Sequence, residues 1–368
     1  MARPEPPASR GLTRSSWPKF RTERPAGRIA IEGMNDMVDV PASAARRVLV
    51  TGGSGFIGTH LVTALLARGD VVRNVDIKRP NLPEHAPYWT DLDINLLPDL
   101  KAVVDEFQPE VIFNLAGIAD LAFGEEAMLV NTLGLSNLLE ATADLPNLPH
   151  LIHTSSQMIA KPGYKIKGPQ DYDAYTVYGE TKVKSEKILY AWQGAIPWTI
   201  IRPANIWGPW HPTMPTSTWK YLDRRWYMMV TGVDPLRSYG NVHTVVHQMI
   251  SASLADRAKV AGKMFYGADA AMITSDWIDG FAKALTGKPV RRMPFAILSA
   301  LSWLGEISSR VGGPSPINRG RLYRMRSEYT VDVQPTLDAF GPGPLTLQEG
   351  INETVDWLRT RFPDQFKS

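Results

Sequence analysis

The run VLVTGGSGFIG at 48–58 constrains this chain more than any other feature. Three apolar residues read as a buried parallel strand, and the glycines then turn the chain directly into a helix. In that context Gly52 permits the tight turn, Gly55 lets a pyrophosphate approach the backbone, and Gly58 lets helix and strand pack closely. Phe56 and Ile57 open the helix, whose N-terminal N–H groups face the phosphates. A second strand, 71–75, leads to Asp76, placed where an acid grips the adenosine ribose. A carboxylate there accepts bonds from both ribose hydroxyls and repels a 2′-phosphate. NAD is therefore the expected cofactor, with NADP still possible because Lys78 and Arg79 follow closely.

The pattern repeats downstream. Helices are predicted at 56–68, 98–107, 125–143 and 178–193, and strands at 111–115, 150–154 and 198–202. Such alternation predicts an α/β fold, a doubly wound parallel (Rossmann) sheet with a smaller interleaved substrate domain. Residues 1–44, rich in Pro, Arg, Ser and Ala, read as a disordered tail that lacks the apolar core of a secretory signal. An organelle transit peptide and a translation start at Met34 or Met37 are alternative readings of it. The NAD-binding domain is expected over 45–204, with 236–261 returning to it. The substrate-binding domain is expected over 205–235 and 262–368, where Pro, Trp and Met become dense and GPGP interrupts at 341–344.

Composition narrows the function. The absence of cysteine excludes a disulfide scaffold, thiolate metal ligands and a cysteine nucleophile, and fits a reducing, cytoplasmic setting. Residues 1–46 hold eight Lys/Arg against five acids, leaving 32 of each beyond position 46. A neutral body gives no basic stripe for nucleic acid. The most apolar stretch, FAILSALSWL at 295–304, is half the length of a membrane span and reads as a packed helix, with membrane-surface contact as the alternative.

The chemistry lies in YGETK at 178–182 with HTSSQ at 153–157. Tyr178 and Lys182 are four apart and share a helix face. An ammonium beside a phenol is expected to lower its pKa toward neutrality, so that Tyr178 removes the proton of a substrate hydroxyl. A hydroxyl at the end of the preceding strand would hold that same oxygen.

Over nearly all of 47–360 the chain resembles the extended short-chain dehydrogenase/reductase family, the NAD-dependent epimerase/dehydratases. The resemblance rests on TGGSGFIG, Asp76, Asp93-Ile94, Asn114-Leu115-Ala116-Gly117, Asn131, TSS at 154–156, YGETK and RPANIWGP at 202–209. It implies a catalytic Ser156–Tyr178–Lys182 triad, adenine contacts from Asp93 and Ile94, and cofactor contacts from Leu115, Ala116, Gly117 and Asn131. It also implies that Pro203 lies near the nicotinamide. The segment QMIAKPGY departs from the family's usual loop, with Ala160 where a Tyr would stand. Gln157-Met158 occupies the place of the Asp-Glu pair of dehydratases, which disfavours 4,6-dehydration.

On the substrate side, the resemblance assigns Asn205 and Arg237 to a nucleotide sugar, Arg237 by forking onto its diphosphate. Thr244 replaces the usual Asp of that segment. Trp207, Trp210, Trp219 and Trp226 could stack a ring or fill a core. His211, His243 and His247 form no metal set. The leading expectation is a nucleotide-sugar epimerase, with a homodimer as its form. DIKRP at 76–80 and the apolar helix resemble the 3β-hydroxysteroid dehydrogenase branch, the second reading. A cofactor-sensing regulator without activity is the third.

Overall fold

The computed structural model describes residues 45–119, 124, 126–310 and 319–366. The expectation for 1–44 lies outside the described residues. In chain order the first elements are β1 (Arg47–Thr51), α1 (Phe56–Ala67), β2 (Val71–Asp76), β3 (Trp89–Asp91), α2 (Leu97–Phe107) and β4 (Val111–Asn114). They are followed by α3 (Leu133–Thr142), β5 (His150–Thr154), α4 (Val177–Ala191) and β6 (Trp198–Pro203). A strand at Lys263–Gly267 completes a seven-stranded sheet in the order Lys263–Gly267, β6, β5, β4, β1, β2, β3. Every pairing in it is parallel.

Period-two alternation in β1 sends side chains to two different cores. Val48 and Val50 join Leu61 and Leu65 of α1 and Val245 and Met249 of the helix Val242–Leu254. Leu49 points the other way, to Leu100 and Val104 of α2 and Leu135 and Leu138 of α3. The result is a sheet between two helical layers, the doubly wound architecture. A third cluster, with Trp207, Trp219, Trp277, Phe281, Ile351 and Leu358, lies beyond β6 in the chain.

Two expectations are corrected. The substrate-binding segment does not begin at 262. Lys263–Gly267 pairs with β6, and Phe340 of the helix Gln334–Phe340 packs in the α1-side core. The strand was hidden because KMFYG is short and follows a turn at Gly262. The helix expected over 125–143 is broken instead. A 3-10 turn at Ala127–Asn131 ends before α3 because Thr132 leaves helical geometry (φ −120°, ψ −57°). The three-residue β3 carries no strand signal in the sequence, since WTD lacks an apolar run.

Parallel register brings the carboxyl ends of the strands together. Thr51 sits opposite Val75 of β2 and Asn114 of β4, Asn114 opposite His153, and Thr154 opposite Ile201. Open α/β sheets bind ligands at this edge.

Candidate active site

The glycine turn begins where β1 ends. Gly52 has φ +72°, and a Cβ there would lie 2.6 Å from the Ala116 backbone nitrogen, so no larger residue fits. At Gly58 a Cβ would lie 2.3 Å from the Gly52 carbonyl oxygen, which explains the close helix–strand approach. Gly55 differs: an added Cβ would meet only the Gly52 carbonyl oxygen, at 3.2 Å. Gly55 also starts α1 with no side-chain cap and no acid in the first turn. The positive end of the helix is thus left for an external anion, and the cradle fits a dinucleotide phosphate.

Asp76 ends β2 beside this turn. Its carboxylate accepts from the Ser54 backbone N–H (3.0 Å) and the Lys78 backbone N–H (2.8 Å). Burial raises its pKa, and those two bonds counter the rise. The neighbouring Arg79 guanidinium lies 6.0 Å from the Trp89 ring centroid. Asp93 accepts from the Asn95 backbone N–H at 2.9 Å. Ile94 is buried in the α2–α3 core, with its carbonyl held by Asn137.

The loop after β4 is fixed from below. Leu115 N–H donates to the Thr51 carbonyl (3.0 Å), and Ala116 N–H to the Thr51 hydroxyl (3.3 Å). Asn131 accepts from Ile118 N–H at 2.9 Å and donates to the Thr181 hydroxyl at 2.9 Å, tying the loop to α4. Gly117 lies in the same place, since a Cβ on it would meet Asn131 Oδ1 at 2.6 Å and Lys182 Nζ at 3.5 Å. Pro203 ends β6, opposite Gly267. These predicted cofactor residues, apart from the core-buried Ile94 side chain, gather at one end of the sheet.

Thr176 caps α4 by accepting the Gly179 N–H at 3.0 Å, which sets Tyr178 in the first turn and Lys182 one turn later. The buried Lys182 ammonium donates to the Thr154 carbonyl (2.8 Å) and lies 5.9 Å from the Tyr178 ring centroid. Burial lowers its pKa to about 8, against the opposing pull of Glu186. Ser156 caps the short turn Gln157–Ile159 by accepting the Met158 N–H at 3.1 Å, and it is hydrogen-bonded to Tyr178. Ser156, Tyr178 and Lys182 are therefore brought together.

The expected drop in the Tyr178 pKa is not found. Burial pushes the phenol up to about 12, and the Ser156 hydrogen bond only partly offsets this. The Lys182 ammonium is directed at the Thr154 carbonyl, so its proximity alone does not bring the phenol toward neutrality.

Two polar groupings beneath the site were not anticipated. One runs from the Thr51 hydroxyl to Asn114 Oδ1 (2.7 Å), from Asn114 Nδ2 to His153 Nδ1 (3.1 Å), and from His153 Nε2 to the Ser185 hydroxyl (3.1 Å). Ser185 then donates to the Lys182 carbonyl at 2.8 Å. Burial, followed by the Lys182 charge, holds His153 well below the usual imidazole range. The other is a fully buried ion pair between Arg202 and Glu186, with Arg202 Nε 2.8 Å from Glu186 Oε1. Tyr172 donates to the same carboxylate at 3.0 Å, and Ser155 also donates to it. The signals were present: Glu186 falls one turn beyond Lys182 on α4, and Arg202 is the one charge in the strand WTIIRP.

The expected substrate residues lie elsewhere along the same edge. Asn205 has φ +38° and donates to the Ser238 carbonyl at 2.8 Å. Arg237 donates to the Ser327 carbonyl at 3.3 Å and interacts with Tyr239. Its neighbour Tyr329 reaches the turn that Ser156 caps, donating to the carbonyls of Gln157 (3.1 Å) and Ala160 (2.8 Å). Trp207 and Trp219 are core residues, Trp210 packs on Trp357 (5.7 Å), and Trp226 is exposed. His211 packs between Phe56 (5.0 Å) and Trp219 (6.1 Å), while His243 Nε2 lies 2.9 Å from Glu353 and His247 Nε2 lies 3.1 Å from the Phe340 carbonyl. Among the described residues no group of three or more His, Asp or Glu could hold a metal ion.

Residues 48–265 match the model of the NAD dependent epimerase/dehydratase family. The chain is 30% identical over 356 residues to a 3 beta-hydroxysteroid dehydrogenase/Delta 5→4-isomerase of Mycobacterium tuberculosis, covering 88% of this chain and 92% of that protein. It is 24% identical over 325 residues to a UDP-glucose 4-epimerase of Vibrio cholerae, covering 84% and 94%. In fold it is similar to the UDP-glucose 4-epimerase of Thermotoga maritima solved with UDP-glucose, with TM-score 0.65, 21% identity and coverage of 85% and 99%. The phosphate cradle, the parallel sheet and these likenesses agree: the chain is an enzyme of the NAD-dependent epimerase/dehydratase family.

Proposed function

We propose that this enzyme oxidises a secondary alcohol on an apolar, steroid-like substrate, using NAD. The observation that carries the choice is the placement of Arg237. The guanidinium expected to fork onto a diphosphate instead donates to the Ser327 carbonyl and engages Tyr239. Thr244, where the usual Asp would stand, donates to Asp269 at 2.6 Å. The likeness to a hydroxysteroid dehydrogenase over most of both chains supports the same reading.

In this proposal Ser156 holds the substrate oxygen and Tyr178 takes its proton. A phenol held up by burial needs nearby positive charge before it can act as a base. Lys182 supplies that charge from one turn along α4, and Glu186 helps keep it protonated. Bound NAD would supply the hydride acceptor and the positive charge of its oxidised ring. Gly52, Gly55, Gly58 and Asp76 would hold its phosphates and ribose, and the loop 115–117 its nicotinamide half.

A second reading, a nucleotide-sugar epimerase, is favoured by Asn205. Its left-handed backbone is uncommon for a non-glycine residue, and such geometry concentrates at functional sites. Arg237→Ala separates the two. The steroid-like reading expects unchanged KM for a hydroxysteroid, and no thermal stabilisation of the wild type or the variant by UDP-glucose. A rise of more than about tenfold in KM for UDP-glucose would establish the epimerase instead, since bonds to charged groups contribute roughly 1.5–3 kcal/mol.

A further inference from the structure

The helices Phe295–Arg310 and Arg319–Arg326 pack on each other around a small cluster that includes Val230, Leu298 and Leu322. Leu298 and Ser302 are buried, yet Phe295, Ile297, Leu301, Trp303 and Tyr323 are exposed, Trp303 by 61% and Tyr323 by 62%. Ile297 and Leu301 stand one turn apart, so the outward side of the first helix is apolar where a helix over a small core should be polar.

Charge is concentrated in the same stretch. Residues 288–326 carry eight Lys/Arg and one acid, leaving 32 Lys/Arg against 36 acids in the rest of the chain. Lys288, Arg291 and Arg326 are exposed, and the Arg326 guanidinium stacks 4.2 Å from the Phe295 ring centroid. Arg292 differs, being paired with Asp279 at 2.8 Å.

We propose that this face docks on the surface of an anionic lipid bilayer. Exposed Trp and Tyr beside aliphatic side chains suit the boundary between headgroups and acyl chains, and surrounding arginines suit anionic headgroups. Among the described residues no helix is long and apolar enough to cross a membrane, so the helix would lie in the interface plane. A second copy of the same face would set Lys288, Arg291 and Arg326 against their like, which argues against self-association there. The docked element is joined to the site. Ser327 accepts from Arg237 just beyond the second helix, and Tyr329 grips the turn that Ser156 caps. The inference stands on surface and charge alone, whichever alcohol is the substrate.

The test is co-sedimentation of the full chain with vesicles of phosphatidylglycerol and phosphatidylcholine, or of phosphatidylcholine alone. Binding is expected only with phosphatidylglycerol present, and weaker at high salt. The double variant Leu301→Glu, Trp303→Glu should abolish it with an unchanged Tm, because both side chains are exposed. If that variant fails to fold, Arg291→Glu with Arg326→Glu should weaken binding by roughly tenfold or more. The proposal is overturned if the wild-type chain sediments no more with anionic vesicles than without vesicles, or equally with phosphatidylcholine. Retained binding by a folded Leu301→Glu, Trp303→Glu variant overturns it as well. A dimer that this variant dissolves, without vesicle binding by the wild type, would assign the face to a second copy.

Discussion

Replacing Tyr178 with Phe is expected to lower turnover by about 10²–10⁴-fold while leaving NAD binding nearly intact. The substitution removes one hydroxyl and keeps the ring that lies 5.9 Å from the Lys182 ammonium. The glycine turn, Asp76 and the Asn131 staple are untouched, so the groups assigned to the cofactor remain. Single-turnover rates and NAD titration of the same preparation measure the two effects separately. A loss below about tenfold would remove Tyr178 from proton transfer, because positioned acid–base groups contribute more than that. Parallel loss of NAD affinity would give Tyr178 a binding role instead.

The second large effect is on stability. Glu186→Ala is expected to destabilise the fold by about 3–5 kcal/mol, because it leaves the Arg202 guanidinium buried without its counter-charge. Arg202 and Glu186 are both fully buried, and Ser155 and Tyr172 direct hydroxyls to the same carboxylate. The same change removes a charge that helps hold Lys182 protonated. Removing both partners, as Glu186→Met with Arg202→Leu, should cost less than removing one, since a well-packed apolar pair has no stranded charge. Urea unfolding of the single and double variants checks this. A single-variant loss under about 1 kcal/mol would mean that water reaches Arg202.

Much of the fold was legible because its signals are local. The apolar run in β1, the turn at 51–58 and the alternation of strands and helices each follow from neighbouring residues. The boundary at 262 differs from expectation for another reason. KMFYG becomes a sheet strand only because β6 offers it an edge, and that is a contact between distant segments. The broken helix before α3 belongs with it, since Asn131 is held by Ile118 and Thr181 rather than by helical geometry.

The site divides in the same way. Tyr178 and Lys182 declare themselves by spacing on one helix. The sign of the phenol shift does not, because it depends on how deeply the hydroxyl is buried and on where the ammonium points. Thr154 takes the ammonium's hydrogen bond through its carbonyl, an atom every residue carries, and no sequence pattern marks it. Arg237 shows the same limit: its type and position suggested a phosphate ligand, while its partners, Ser327 and Tyr239, come from the folded chain.

The proposed activity is tested most directly by net accumulation of NADH. Purified enzyme mixed with NAD and a 3β-hydroxysteroid should show a steady rise in reduced-nicotinamide absorbance, absent in Tyr178→Phe, whereas UDP-glucose should produce no NADH and no epimer. No NADH with hydroxysteroids, together with conversion of UDP-glucose to its epimer without net cofactor reduction, would contradict the account.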